Sequence, residues 1–93
     1  MAGLLLCLAA AAPSRAQITI DATKLSCKDF LTETVVAPDK ISYWLSGYYN
    51  GKRQNTDLNV TALRDYVNKM WDYCLHNQDA TVMKAAETLL GGN

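Results

Sequence analysis

Apolar residues recur at helical spacing along most of this chain, and the breaks between the periodic stretches divide it into four helices. Ser26–Leu31 is the shortest: Ser26 can cap it, Asp29 puts an acid in its first turn, and Phe30 and Leu31 face inward. Pro38 suits the first turn of the second helix. There Ile41, Trp44, Leu45, Tyr48 and Tyr49 fall at i, i+3, i+4, i+7 and i+8, one face of a helix. Asn50-Gly51 is expected to end it, with Gly51 in the left-handed C-cap conformation. Lys52–Asp57 then reads as a polar loop, and Leu58-Asn59-Val60 as briefly extended. Asn59 or Thr61 caps the third helix, whose inner face is marked by Leu63, Val67, Met70, Trp71 and Cys74, with Tyr66 and Tyr73 flanking, and which runs to about Leu75. Asn77-Gln78 breaks the pattern. Asp79 is the expected cap of a fourth helix from Ala80, with Val82, Met83, Ala86, Leu89 and Leu90 apolar and Gly91-Gly92 as its stop. Gln17–Lys24, polar and β-branched, shows no helical period and reads as a mobile arm.

The N-terminal residues do not continue this pattern. Leu4–Ala12 is a short Leu- and Ala-rich run, shorter than the roughly 20 residues a membrane span needs. Pro13 and the small residues of Ser14-Arg15-Ala16 follow it directly. That order predicts a signal peptide over 1–16, cut between Ala16 and Gln17, although no Lys or Arg precedes Leu4. The competing reading is a buried N-terminal helix. No other stretch is a candidate for stable membrane insertion.

Export changes the meaning of the cysteines. Cleavage removes Cys7 and leaves Cys27 and Cys74. Two cysteines in an exported chain most simply form one disulfide. Two buried thiols are the alternative, a poor match to an oxidising compartment. Closing the loop between them adds on the order of 4 kcal/mol by the chain-entropy model. For so short a chain that is a large share of the total stability. The expected architecture is therefore a small all-α, single-domain bundle of about four helices over 17–93, stapled by one disulfide.

Charge and chemistry narrow the function further. Without Arg15 the chain carries eight Lys and Arg against nine Asp and Glu, and no basic stripe, so nucleic acid is a poor partner. With every carboxyl protonated it carries roughly +10, and self-repulsion then opposes the compact state. The one histidine, His76, has no ligand set for a metal and no nucleophile to serve as a base. It is expected near the end of the third helix as a surface dipole contact. Gly47–Lys52 lacks the spacing of a phosphate loop, and Arg53 stands where Ser or Thr is required. No catalytic, metal or cofactor constellation is visible. The stripe Trp44, Tyr48, Tyr49 reads as helix core in preference to a ligand box.

Particular segments carry a resemblance. Leu25-Ser26-Cys27-Lys28-Asp29-Phe30-Leu31, Pro38, the run Trp44-Leu45-Ser46-Gly47-Tyr48-Tyr49-Asn50-Gly51-Lys52, and Tyr73-Cys74 before a last amphipathic helix together resemble the HdeA/HdeB family of periplasmic acid-stress chaperones. The resemblance spans about Leu25 to Leu90. It implies a compact helical domain with a Cys27–Cys74 disulfide, periplasmic and typically dimeric near neutral pH. In acid such proteins rearrange, expose apolar surface and hold unfolded clients soluble without ATP. Leu58 and Val60 match the short apolar stretch that lies near the family's dimer contact, and Trp44, Leu45, Tyr48 and Tyr49 complete the expected client-binding or dimer set. The chain lacks the Lys-rich tail of the enteric HdeA proteins.

An acid trigger also has a physical basis of its own. Carboxylates that cap helices or pair with bases stabilise the fold above their unfolded pKa and lose that effect as pH falls. Asp29, Asp39 and Asp79 are the expected first-turn acids, and Asp65–Lys69 a helix pair worth about 0.3 kcal/mol. Acid is then expected to expose the Trp44–Tyr49 and Leu63–Trp71 faces. The competing function is a constitutive periplasmic protein-binding module that uses the Trp44–Tyr49 face without a switch.

Overall fold

The computed structural model describes residues 17–34 and 36–90; the signal segment, its cut before Gln17 and the Gly91-Gly92 stop lie outside them or at their edge. Four α-helices follow in order: α1 Cys27–Leu31, α2 Pro38–Lys52, α3 Val60–His76 and α4 Val82–Leu90. A 3-10 turn over Ala22–Lys24 precedes them. Each helix packs on the other three, and the 3-10 turn lies against α4. Among the described residues the one β-type pairing is the isolated antiparallel bridge Ser26–Thr81.

Local chemistry accounts for the helix starts. α1 has five residues, far too few to persist alone. A reciprocal capping box holds it: Ser26 Oγ accepts the Asp29 N–H at 3.0 Å and Asp29 Oδ2 accepts the Ser26 N–H at 3.1 Å. Pro38 opens α2, where the missing N–H costs nothing. Asn59 caps α3 by accepting the Ala62 N–H at 2.9 Å, so Val60 begins the helix and is not extended. At α4 the expected cap Asp79 is displaced. Thr81 Oγ1 accepts the Lys84 N–H at 3.0 Å, because the Ser26–Thr81 bridge fixes where that helix begins.

Helix ends differ from expectation at α2. The helix runs through Gly51 to Lys52, and Gln54 takes the positive φ of 60° that had been assigned to the glycine. Arg53, the C-cap residue, lies just past this slightly later end. Its guanidinium donates to the Leu90 carbonyl at 2.6 Å and to Asn50 Oδ1 at 2.9 Å, tying the end of α2 to the end of α4. α3 closes one residue past Leu75, with Asn77 Nδ2 donating to the Tyr73 carbonyl at 2.9 Å. The N-terminal arm is also more ordered than its sequence suggests: Asp21 caps the 3-10 turn and Ile20 packs against the core.

The core lies where the four helices meet. Cys27 and Cys74 are bonded, with Cα atoms 4.8 Å apart, and join α1 to the last turns of α3. Phe30, Leu45, Met70 and Val82 are wholly buried around them. The inner faces of α2 and α3 are rotated from the expected stripes. In α2 Ser42 is buried, its hydroxyl donating to the Pro38 carbonyl at 2.9 Å, and Trp44 and Tyr48 are turned outward. In α3 Tyr66 enters the core and Trp71 stands at its edge, 6.1 Å from Phe30.

Candidate functional site

The outward turn of α2 creates an aromatic strip. Trp44 is 53% exposed, and Tyr43 and Tyr48 are exposed with it. Trp44 stacks on Tyr48 at 5.3 Å and 12°, and Tyr48 meets Tyr49 edge-on at 5.1 Å. The Lys52 ammonium lies 5.4 Å from the ring centres of both tyrosines. Such contacts orient the rings while leaving their outer faces to solvent. Leu45 on the same helix is wholly buried. Tyr49 is half-buried, with its hydroxyl donating to the Met83 carbonyl at 3.3 Å. Burial pushes the Tyr49 phenol up, with Glu87 and then Tyr48 adding to it. The core assignment therefore holds for Leu45, in part for Tyr49, and not for Trp44 or Tyr48.

Two concavities flank this region. Trp44, Tyr48 and Ile41 form one wall of an apolar groove of about 470 Å³, and Ile20, Leu25 and Met83 close it. A smaller cleft of about 270 Å³, lined by Asn50, Asn55, Leu58, Asn59 and Tyr66, opens beside the α2–α3 connection. Leu58 is 75% exposed at its mouth, and Val60 is exposed and lines neither concavity. Of the six expected binding residues, Trp44 with Tyr48 and Leu58 with Val60 are exposed, while Leu45 is buried and Tyr49 half-buried.

Tyr66 went unrecognised as a core residue because its stripe neighbours Leu63 and Val67 are more apolar. Its hydroxyl is buried with no protein partner among the described residues, and burial, with Tyr49 second, pushes the phenol up. An unpaired buried hydroxyl costs about 1–3 kcal/mol. Tyr66→Phe is accordingly expected to stabilise the protein by about 1 kcal/mol, read as a higher urea midpoint at unchanged slope. A lower midpoint would mean that the hydroxyl is paired in solution.

The expected acid triggers have different surroundings. The Asp29 carboxylate belongs to the α1 capping box. Asp39 Oδ1 accepts the N–H of the adjacent Lys40 at 2.9 Å. Asp79 caps nothing and stands exposed in the turn before Thr81. Asp65 and Lys69 do not meet: among the described residues the only acid–base contact is His76 Nδ1 to Asp72 Oδ1 at 3.8 Å. His76 also contacts the Asp72 carbonyl at 2.9 Å, in the exposed last turn of α3 where it was expected. A carboxylate in the arm was missed. Asp21 Oδ1 accepts the Thr23 hydroxyl at 2.6 Å and the Thr23 N–H at 3.0 Å, and these two bonds, the hydroxyl's first, hold its carboxyl below the usual range. The Asp-x-Thr spacing is the local signal for such a turn.

The result is a disulfide-closed helical domain with exposed aromatic and aliphatic patches. This chain belongs to the HdeA/HdeB family, whose model matches residues 1–84. That is a family of periplasmic acid-stress chaperones and not of enzymes. No curated protein and no solved structure matches the chain. No helix among the described residues is long and apolar enough to cross a membrane.

Proposed function

We propose that this protein is an ATP-independent periplasmic holdase for acid stress, delivered by a signal peptide cut after Ala16. It is a homodimer near neutral pH, with Leu58 and Val60 near the contact. In acid it opens and binds unfolded clients through its apolar faces. The observation that carries the reading is the mixed exposure of α2: Trp44 and Tyr48 are exposed on the single chain, while their neighbours on the same helix, Leu45 and Tyr49, are buried and half-buried. Modest loosening of α2 enlarges an apolar surface that already exists. Protonation supplies the loosening through net positive charge.

Asp21 gives the sign for one group. Its folded pKa is depressed, so its stabilisation is present above the unfolded value near 4 and is lost as pH falls through the folded value. Binding of an apolar dye is expected to rise between pH 6 and pH 3, together with suppression of client aggregation at pH 2–4 but not at pH 7. Asp21→Asn keeps the cap and cannot take up a proton, so it moves the onset of dye binding to lower pH. A flat dye signal across that range would remove the acid switch. The exposure of Trp44 and Tyr48 in the folded chain also favours a second reading, a module that binds its partner constitutively. Equal client binding at pH 7 and pH 3 distinguishes it.

A further inference from the structure

The apolar groove beside α2 has the size and the charges of a small-molecule site. Its volume of about 470 Å³ falls within the range of ligand pockets, about 300–1,000 Å³. A stable protein–protein contact is instead broad, with about 800 Å² covered per partner. Ile20, Leu25, Ile41, Trp44, Tyr48 and Met83 supply the apolar walls. Two charged side chains line it, Asp21 and Lys40, and they are not equivalent. Asp21 is turned onto its own 3-10 turn, one oxygen taking both Thr23 bonds. The Lys40 ammonium has no hydrogen-bond or ion-pair partner among the described residues. It also stands in the first turn of α2, where the helix dipole favours an anion. Asp39, its neighbour, does not line the groove.

We propose that this groove binds one monomeric anionic amphiphile, a straight-chain alkyl carboxylate, with its tail along Ile41, Trp44 and Met83 and its carboxylate at the Lys40 ammonium. The site does not depend on the chaperone reading, since it uses the closed fold at neutral pH. Because Trp44 and Tyr48 form its wall, an occupied groove withholds those two rings from any other apolar partner.

The test is calorimetric titration of the oxidised protein at pH 7 with dodecanoate below its micelle concentration. Dodecyltrimethylammonium serves as the oppositely charged control. One dodecanoate per chain is expected, preferred over the cation by roughly fivefold to tenfold, the scale of one partly exposed charged contact. Lys40→Glu is expected to reverse that preference, and Trp44→Ala to weaken both ligands. Both residues are exposed, so both variants keep the helical spectrum of the parent. Equal affinity for the two amphiphiles, or no effect of Lys40→Glu, overturns the proposal. So does co-sedimentation with phosphatidylglycerol vesicles without uptake of monomeric dodecanoate, which would make the face a membrane contact. A dimer in sedimentation that binds no dodecanoate overturns it equally, since a second copy would then fill the groove.

Discussion

Reduction of the Cys27–Cys74 bond is expected to leave the protein only marginally folded at neutral pH, with an unfolded fraction large enough to measure. The bond spans 47 positions of sequence, and opening a loop of that length releases about 4 kcal/mol of chain entropy into the unfolded state. A domain of this size has about 5 kcal/mol of stability or a little more. The folded-to-unfolded ratio therefore falls by roughly a thousandfold. The two thiols left behind remain apolar enough to stay buried, so the loss arises mainly in the unfolded chain and not from a damaged core. Urea denaturation with and without dithiothreitol measures it. A change below about 1 kcal/mol would show that the loop is already constrained by other contacts. Under the proposed chaperone cycle, the reduced protein also recovers its helical spectrum poorly after a pass from pH 7 to pH 2 and back. The oxidised protein recovers it fully.

Phe30→Ala is expected to cost about 3–5 kcal/mol, nearly as much as the disulfide, by a different route. Phe30 is wholly buried and, with Cys27, anchors a helix of only five residues. Its ring lies 6.1 Å from Trp71, tilted at 52°, and truncation opens a cavity between α1 and α3 that the bonded cysteines prevent from collapsing. The near-ultraviolet signal of Trp71 should fade with the loss of stability. Trp44→Ala, by contrast, removes a larger side chain at a cost below about 1 kcal/mol, because that indole is half in solvent and stacks only on Tyr48. Similar costs for the two variants would contradict the placement of α1 against α3.

The contrast between Phe30 and Trp44 also shows what the sequence could and could not reveal. Features decided within three or four residues were legible: the Ser26–Asp29 capping box, Pro38 at the head of α2, Asn59 as one of two candidate caps of α3, His76 in its last turn. The cysteine pairing was legible because only Cys27 and Cys74 lie beyond the expected signal segment. Features decided by a distant neighbour were not. Asp79 is as good a cap as Thr81, and only the bridge to Ser26 selects the threonine. Gly51 is the obvious stop for α2, yet the helix runs past it to Lys52, and Arg53 at its end reaches to Leu90. α2 is apolar around so much of its circumference that several phases bury a similar area. The helices packed against it select the one that turns Ser42 in and Trp44 out. The candidate site inherited that ambiguity, since its rings were assigned to the core and stand at the surface.

One seam in the fold is blind to protons. Cys27 donates its N–H to the Ala80 carbonyl at 2.8 Å, Val82 to the Leu25 carbonyl at 2.9 Å, and Lys28 to the Gln78 carbonyl at 3.2 Å. These three bonds join the start of α1 to the start of α4, beside the bonded cysteines, and Arg53 holds the far end of α4. Amides, carbonyls and a guanidinium keep the same protonation from neutrality to strong acid. Acid therefore does not act on these bonds directly. Under the proposed acid opening the seam serves as a stored register, against which α2 and α3 re-seat when the chain returns to neutral pH.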